Sequence, residues 1–140
     1  MGTVIRNANA FGADAVFYLG IKHLDKRACC GTHNYTTITH LKSIAELKAA
    51  NAGYTFVGVE NNQPGTKSIE NYIYPDKPLL IFGCEVGGLS KEMLAECQDI
   101  ICIGQIGSVP SLNLGTASGI VLYDFATKHK RKNDTRRIQD

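Results

Sequence analysis

The fold of this chain is decided by residues 78–125, which read PLLIFGCEVGGLSKEMLAECQDIICIGQIGSVPSLNLGTASGIVLYDF. The stretch holds two apolar runs, at 79–82 and 100–103, and each is followed by a loop rich in glycine. A run that is apolar at every residue is typical of a strand in a parallel sheet covered on both faces. Ligands of such sheets bind beyond the carboxyl ends of the strands. We therefore expect the first glycine loop (residues 83–89) and the second glycine loop (residues 104–110) to lie together and form a small-ligand site.

The rest of the chain supplies helices and further strands. Apolar residues recur with helical spacing in several segments, and a capping box at Ser43 and Glu46 opens one of these helices. In chain order the sequence predicts helix 2–11, strand 15–19, a helix from 43, strand 54–59, a short helix at 68–72, strand 79–82, helix 91–96, strand 100–103 and helix 113–128. This alternation predicts an α/β domain with a mostly parallel sheet flanked by helices.

The composition narrows the class of protein. A length of 140 residues fits one domain, and 44% hydrophobic with 20% charged residues is ordinary for a soluble globular chain. No apolar run approaches the ~20 residues of a membrane span, and the N-terminus lacks the layout of a signal peptide. The five cysteines form no Cys-x-x-Cys pair, so we predict neither a disulfide framework nor a metal site. We expect an intracellular, cytoplasmic protein without membrane contact.

Positive charge is concentrated at the C-terminus. The net charge is only +2, but six of the fifteen Lys and Arg residues lie at 128–137. We divide the chain accordingly into a domain at 1–127 and a basic tail at 128–140. Two interpretations of the tail stay open: a solvated, frayed end, or an arm that binds the phosphates of a nucleic acid.

The two loops carry few side chains suited to chemistry. Neither loop matches a dinucleotide or P-loop fingerprint. Glu85 is the one charge in the first glycine loop, directly past a buried strand. Ser111 and Asn113 open the last helix, where Ser111 serves either as a plain N-cap or as part of an anion-binding helix terminus.

Two further features of the helices lack an obvious structural reason. Gly115 and Gly119 lie four residues apart in the last helix, which lets another helix or a loop approach closely. The alternative is a helix confined within its own core. Arg6 is a lone charge in an apolar helix, where an arginine usually extends to solvent.

These residues together resemble the SpoU (TrmH-type) branch of the SPOUT methyltransferases. The resemblance covers almost the whole chain and rests on three blocks in order: GTVIRNANAFG at 2–12, LIFGCEVGGLS at 80–90, and SLN at 111–113 with its small-residue helix. It implies a C-terminal trefoil knot, an exception to the rule that chains do not thread loops. It also implies bound S-adenosylmethionine, a homodimer, and methylation of a ribose 2′-hydroxyl in tRNA or rRNA.

The same resemblance implies roles for individual residues. Catalytic or conserved polar positions are Arg6, Glu85, Ser111 and Asn113. Residues lining the cofactor pocket, largely through backbone groups, are Gly58, Val59, Gly83, Gly87, Ile103, Ile106, Ser111 and Leu112. Residues that would meet RNA are Arg6, Lys128, Lys130, Arg131 and Lys132.

One departure from the family keeps a second hypothesis open. The family's first motif has a strand and an asparagine upstream of the position of Gly2, and this sequence begins without them. The first hypothesis is an RNA ribose methyltransferase. The second is a catalytically inactive RNA-binding or scaffold protein that retains the fold. A third is an α/β protein that binds ATP or NAD.

Overall fold

Helices and strands alternate along the chain. The computed structural model describes residues 1–20 and 27–130. The elements in chain order are α1 (Gly2–Ala10), β1 (Ala15–Leu19), β2 (Thr37–Leu41), α2 (Ile44–Ala50), β3 (Thr55–Val59), β4 (Lys67–Ser68), β5 (Pro78–Phe82), α3 (Lys91–Glu96), β6 (Asp99–Cys102) and α4 (Leu114–Phe125). Single 3-10 turns lie at Arg27–Cys29, Thr32–Asn34 and Ile69–Asn71, and a π-helical turn, Ala126–Lys130, continues α4. The predicted α/β class with parallel strands flanked by helices is confirmed.

The strands form two sheets where the sequence predicted one. Four strands pair in the order β4-β6-β3-β5, and β1 pairs with β2 in a separate sheet; every pair is parallel. The sequence prediction missed β2 and β4. β2 reads TITHL, whose mixed polar and apolar residues give a weak signal. β4 has only two residues, too few for any periodicity.

The apolar core lies on both faces of the four-stranded sheet. Neighbouring residues of β3 point in opposite directions, so Phe56 and Val57 enter different clusters. The cluster of Phe56 includes Leu41 of β2, Leu47 of α2, Met93 of α3, Ile81 of β5 and Leu89 of the loop after β5. The cluster of Val57 includes Val121 of α4, Ile101 of β6, and Ile69, Tyr72 and Tyr74 of the 69–74 segment. Helices therefore cover the sheet on two sides, as expected for strands buried from both faces.

Helix α1 packs directly against α4, and small residues permit it. A Cβ on Gly115 would lie 2.8 Å from Thr3 Cγ2, and one on Gly119 would lie 3.2 Å from Asn7 Nδ2. The Asn7 amide also donates to Gly115 O (2.8 Å) and to the Oγ of the fully buried Ser118 (3.1 Å). The close approach of another helix, one of two interpretations of the Gly115 and Gly119 spacing, is thus confirmed.

The end of α4 is fastened to the segment that precedes β5. Lys128 Nζ donates to the carbonyls of Ile69, Glu70 (3.2 Å) and Tyr72 (3.4 Å), and it pairs with Asp124 at 3.0 Å. The Asp124 carboxylate also accepts from Tyr74 Oη at 2.8 Å. Burial and this carboxylate raise the pKa of Tyr74 far above its ordinary value, so the phenol stays protonated and donating.

Among residues 1–20 and 27–130, no helix is both long enough and apolar enough to cross a membrane.

Candidate functional site

The carboxyl ends of three neighbouring strands meet at one edge of the four-stranded sheet. Val59, the last residue of β3, is in register with Phe82, the last residue of β5, and with Ile101 near the end of β6. The first glycine loop leaves β5 and the second glycine loop follows β6 at this edge. The predicted placement of the two loops is therefore present in the structure.

The first glycine loop folds back on itself. Cys84 and Gly88 form an antiparallel bridge, with each backbone N–H donating to the other carbonyl at 3.2 Å. Gly87 and Gly88 have φ of +91° and +66°, values that L side chains rarely adopt. A Cβ on Gly83 would overlap the backbone of Gly88, so the loop closes only with glycine at that position. The tip is exposed, with Val86 at 92% exposure.

The side chain of Glu60, the residue after β3, binds the backbone at the end of this loop. Its Oε2 accepts from the backbone N–H of Leu89 at 2.9 Å, and its Oε1 accepts from that of Asn61 at 3.1 Å. A Cβ on Gly88 would overlap the same carboxylate. The loop is therefore shaped by its glycines and by one acidic side chain that directly follows β3.

Asn61 connects β3 to the second glycine loop. Its Nδ2 donates to Gln105 Oε1. Gln105 Nε2 in turn donates to Val109 O at 2.9 Å, which closes the loop on itself. Ile106 lies at the tip of this loop with its side chain fully exposed, whereas Ile103 is half-buried and packs against the core.

The first glycine loop contacts the N-terminus of α4 through two of the predicted polar residues, Glu85 and Asn113. Asn113 Nδ2 donates to Glu85 Oε1 at 3.1 Å. Asn113 Oδ1 accepts from the backbone N–H groups of Gly115 (2.8 Å) and Thr116 (3.3 Å), so Asn113 is the N-cap of α4. The N-cap role, one of the two interpretations of Ser111, is wrong, because the helix begins at Leu114 and Ser111 lies outside it, exposed. The half-buried Leu112 lies between them.

Arg6 lies on the exposed side of α1. One guanidinium nitrogen donates to Cys30 Sγ at 3.5 Å. The neighbouring Asn7, and Thr3 one turn earlier, contact the first turn of α4. Arg6 is thus carried by a helix that is fixed to the same α4 terminus that bears Asn113.

Gly58 and Val59 end β3 at the same sheet edge as the two glycine loops. Gly58 is buried in β3, and a Cβ there would lie 3.0 Å from Leu89 Cδ1 and 3.1 Å from Cys97 Sγ. Burial raises the pKa of the Cys97 thiol, which therefore stays uncharged beside the strand. This part of the sheet edge is apolar and tightly packed.

Of the four predicted RNA-binding residues of the tail, the structure describes the side chain of Lys128 alone. Lys128 is described, and its ammonium binds backbone carbonyls and Asp124 within the domain. The side chain of Lys130, and Arg131 and Lys132, lie outside the described residues. RNA contact by these four residues stays a prediction. Among the described residues, no group of three His, Cys, Asp or Glu side chains could hold a metal ion.

Sequence reasoning missed three residues that organise the site: Asn7, Glu60 and Asn61. Glu60 and Asn61 directly follow the β3 run, in the position relative to their strand that drew attention to Glu85. Applying the strand-end rule to every strand would have found both. No sequence signal pointed to Asn7, because its partners in α4 are more than a hundred residues away.

Comparison with known proteins places this geometry in a family. The model described as "SpoU rRNA Methylase family" matches residues 1–123. The 23S rRNA (guanosine-2'-O-)-methyltransferase RlmB of Neisseria meningitidis is 26% identical over 143 residues, covering 96% of this chain and 56% of that protein. The tRNA (guanosine(18)-2'-O)-methyltransferase of Saccharomyces cerevisiae is 30% identical over 77 residues, covering 55% of this chain and 5% of that protein.

The fold of this chain is also similar to that of a solved structure. The crystal structure of an AdoMet-bound rRNA methyltransferase from Sinorhizobium meliloti matches with a TM-score of 0.79 at 30% identity, covering 91% of this chain and 51% of that one. The chain thus spans about half the length of these two bacterial relatives. Since the family model covers nearly all of the described chain, including both loops and most of α4, the chain belongs to the SpoU rRNA methylase family.

Proposed function

We propose that this chain is an S-adenosylmethionine-dependent methyltransferase that acts on a ribose 2′-hydroxyl of tRNA or rRNA. The observation that carries the proposal is the 3.1 Å contact between Asn113 and Glu85, which joins two of the family's sequence blocks at the sheet edge. The names of the relatives from Neisseria and yeast, both 2'-O-methyltransferases of RNA, support it.

The two loops suit an adenosyl ligand better than a nucleotide with phosphates. Neither the first glycine loop (GCEVGGL) nor the second glycine loop (GQIGSVP) contains a lysine or arginine to neutralise phosphate. The exposed Val86 and Ile106 offer apolar surface for a base, and backbone groups beside the glycines offer hydrogen bonds to its edge. S-adenosylmethionine, when bound, supplies a methyl group activated by a sulfonium. We propose that Gly58, Val59, Gly83, Gly87, Ile103, Ile106, Ser111 and Leu112 line its pocket.

The polar residues would act on the ribose. A ribose hydroxyl is a weak nucleophile, so it must lose its proton as it attacks, and its oxygen must be held in line with the methyl group. Arg6 is normally protonated, which suits it to hold a substrate phosphate or the developing alkoxide. Asn113 and Ser111 lie where α4 begins and would orient the nucleotide, with Glu85 fixing the Asn113 amide.

We propose three further features of the protein: a knotted chain, a homodimer and a basic RNA-binding surface. We propose a trefoil knot in the C-terminal half, for which the support is the resemblance carried by the three sequence blocks at 2–12, 80–90 and 111–113. We also propose that the protein is intracellular and forms a homodimer. The partly exposed Ile120 and the half-exposed Tyr123 of α4 offer apolar surface for contact between the two copies. The basic residues from 128 onward would extend the RNA-binding surface.

Calorimetric titration of S-adenosylhomocysteine into the folded protein tests the cofactor assignment. We expect binding with a stoichiometry of one per chain, and no comparable heat with ATP or NAD. Binding of ATP or NAD in place of the adenosyl compound would contradict the proposal and favour a nucleotide-binding protein.

The contact between Arg6 and Cys30 favours a second candidate function, a catalytically inactive RNA-binding protein. An arginine held by a thiol is less available to a substrate. The variant Arg6→Ala separates the two functions: an enzyme transfers methyl groups as the wild type and loses that transfer in the variant, whereas an inactive binder shows no transfer in either form. Cys30→Ala is the matched control, since it removes the sulfur that accepts from the guanidinium and leaves Arg6 in place.

A further inference from the structure

The first and second glycine loops are joined to each other through two consecutive residues at the end of β3. Glu60 accepts from the backbone of Leu89, which ends the first glycine loop. Asn61 donates to Gln105 in the second glycine loop. Neither residue belongs to the three sequence blocks that mark the family, so they lie outside the set of predicted site residues.

A third hydrogen bond, between Glu60 and Asn61 themselves, connects these two contacts. Glu60 Oε1 accepts from the backbone N–H of Asn61 at 3.1 Å, while its Oε2 is occupied by Leu89 at 2.9 Å. One carboxylate thus fixes the first glycine loop and also the backbone that aims the Asn61 amide at the second. Hydrogen bonds to a charged acceptor are among the stronger ones in proteins, and Glu60 is only partly exposed.

We propose that Glu60 and Asn61 are positioning residues that set the separation of the two loops and thereby the width of the cofactor pocket. The proposal rests on the proposed function for the identity of the ligand. The loops provide the surfaces that would clasp the adenosyl group, and backbone donors bind well only when held in place beforehand. Glu60 and Asn61 themselves need not touch the ligand.

The other described bonds of the two loops do not join one loop to the other. Asn113 ties the first glycine loop to the start of α4 through Glu85. The first glycine loop is built on glycines and closed by its own Cys84–Gly88 bridge, and the second is closed by Gln105 onto Val109. These bonds shape each loop separately. The bonds of Glu60 and Asn61 connect both loops to the same strand end, and so relate one to the other.

The test compares Glu60→Gln and Asn61→Ala with Glu46→Gln. Glu46 is a matched control because its carboxylate also accepts a backbone N–H, that of Lys42 at 2.7 Å, but at the start of α2. We expect the dissociation constant of S-adenosylhomocysteine to rise about tenfold in Glu60→Gln, the loss of roughly one charged hydrogen bond. A similar rise is expected in Asn61→Ala and none in Glu46→Gln. At saturating S-adenosylmethionine, kcat should stay within about twofold of the wild type, since the reacting groups are unchanged.

Hydrogen exchange in the ligand-free protein tests the coupling without the cofactor. In Glu60→Gln we expect faster exchange in the peptide covering 84–89 and also in the one covering 104–110. Faster exchange confined to 84–89, or a dissociation constant that rises no more than in Glu46→Gln, would overturn the proposal. If the wild type binds no adenosyl compound, the proposed function fails while the exchange result still decides whether the loops are coupled.

Discussion

Asn113 uses both ends of its amide at the start of α4. The oxygen caps the helix by accepting from Gly115 and Thr116, and the nitrogen donates to Glu85 in the first glycine loop. The cap fixes the side chain, and the fixed side chain then holds the loop. A residue that stabilises the helix is thereby placed where we propose the ribose to bind.

Truncating this cap should have two effects that can be separated. We expect Asn113→Ala to lower the free energy of unfolding by about 1 kcal/mol, the usual cost of losing an N-cap, and to lower methyl transfer strongly. Ser90→Ala is the control, because Ser90 caps α3 by accepting from Met93 N at 3.1 Å. Urea titration should show a similar loss for both variants. Equal methyl transfer by the two variants would contradict a role for Asn113 in the site.

The sequence identifies chemistry-bearing residues better than it identifies their bonds. Glu85 and Asn113 could be selected as polar residues at a strand end and a helix start. Which of Ser111 and Asn113 caps α4 could not, since both are good caps and only the backbone path decides. Glu60 could have been found from its position after β3, but its partner Leu89 follows from tertiary structure alone.

At the scale of elements, the packing of α1 on α4 relates Arg6 to Asn113. Thr3 and Asn7 of α1 approach Gly115 and Gly119 of α4 closely. Gly119 lies in the interior of α4, where a glycine costs about 1 kcal/mol relative to alanine, and Gly115 lies in its first turn. The close approach and the bonds from Asn7 to Gly115 and Ser118 offset that cost.

Gly115→Ala should therefore destabilise the protein although alanine is the better helix former. The new Cβ would lie 2.8 Å from Thr3 Cγ2, and overpacking of this kind typically costs 1–3 kcal/mol, about as much as or more than the propensity gain. We expect a lower urea midpoint, partly restored by adding Thr3→Ser, which removes that methyl group. Gly107→Ala is the control, because its Cβ would meet nothing within 4 Å. An increased midpoint for Gly115→Ala would show that the helices can move apart.

The elements that the sequence predicts well are those whose signal is local. The apolar runs of β5 and β6 and the serine cap of α3 lie in single short segments. β2 and β4 escaped prediction because pairing with a neighbouring strand, rather than their own pattern, makes them strands. The division into two sheets depends on which strands pair, which periodicity does not encode.

At the scale of the whole molecule, the end of α4 and the turn that continues it are bound to the segment before β5. Lys128 reaches residues 69–72 across the chain, and Asp124 connects it to Tyr74. The lysine that the sequence assigned to an RNA-binding tail therefore also ties the end of α4 to the core. Whether it contacts RNA is a separate question that the same variant can address.

Lys128→Met removes the charge and keeps the aliphatic stem. We expect it to lower the free energy of unfolding by about 1–3 kcal/mol, because several carbonyls and Asp124 lose their cation. Lys48→Met is the control: its pair with Glu96 is exposed, with 53% and 35% of the side chains accessible, and should contribute less than about 1 kcal/mol. If Lys128 served only RNA, the two variants would be equally stable and Lys128→Met would weaken RNA binding alone.

The most direct test of the whole proposal follows a labelled methyl group. The protein is incubated with S-adenosylmethionine labelled at the methyl group and with unmodified tRNA or rRNA, and the RNA is then digested to nucleosides. Label in a 2′-O-methylated nucleoside, absent with Arg6→Ala, is the expected result. Label on a base, or no transfer to either RNA by a protein that binds S-adenosylhomocysteine, would contradict ribose methylation by this chain.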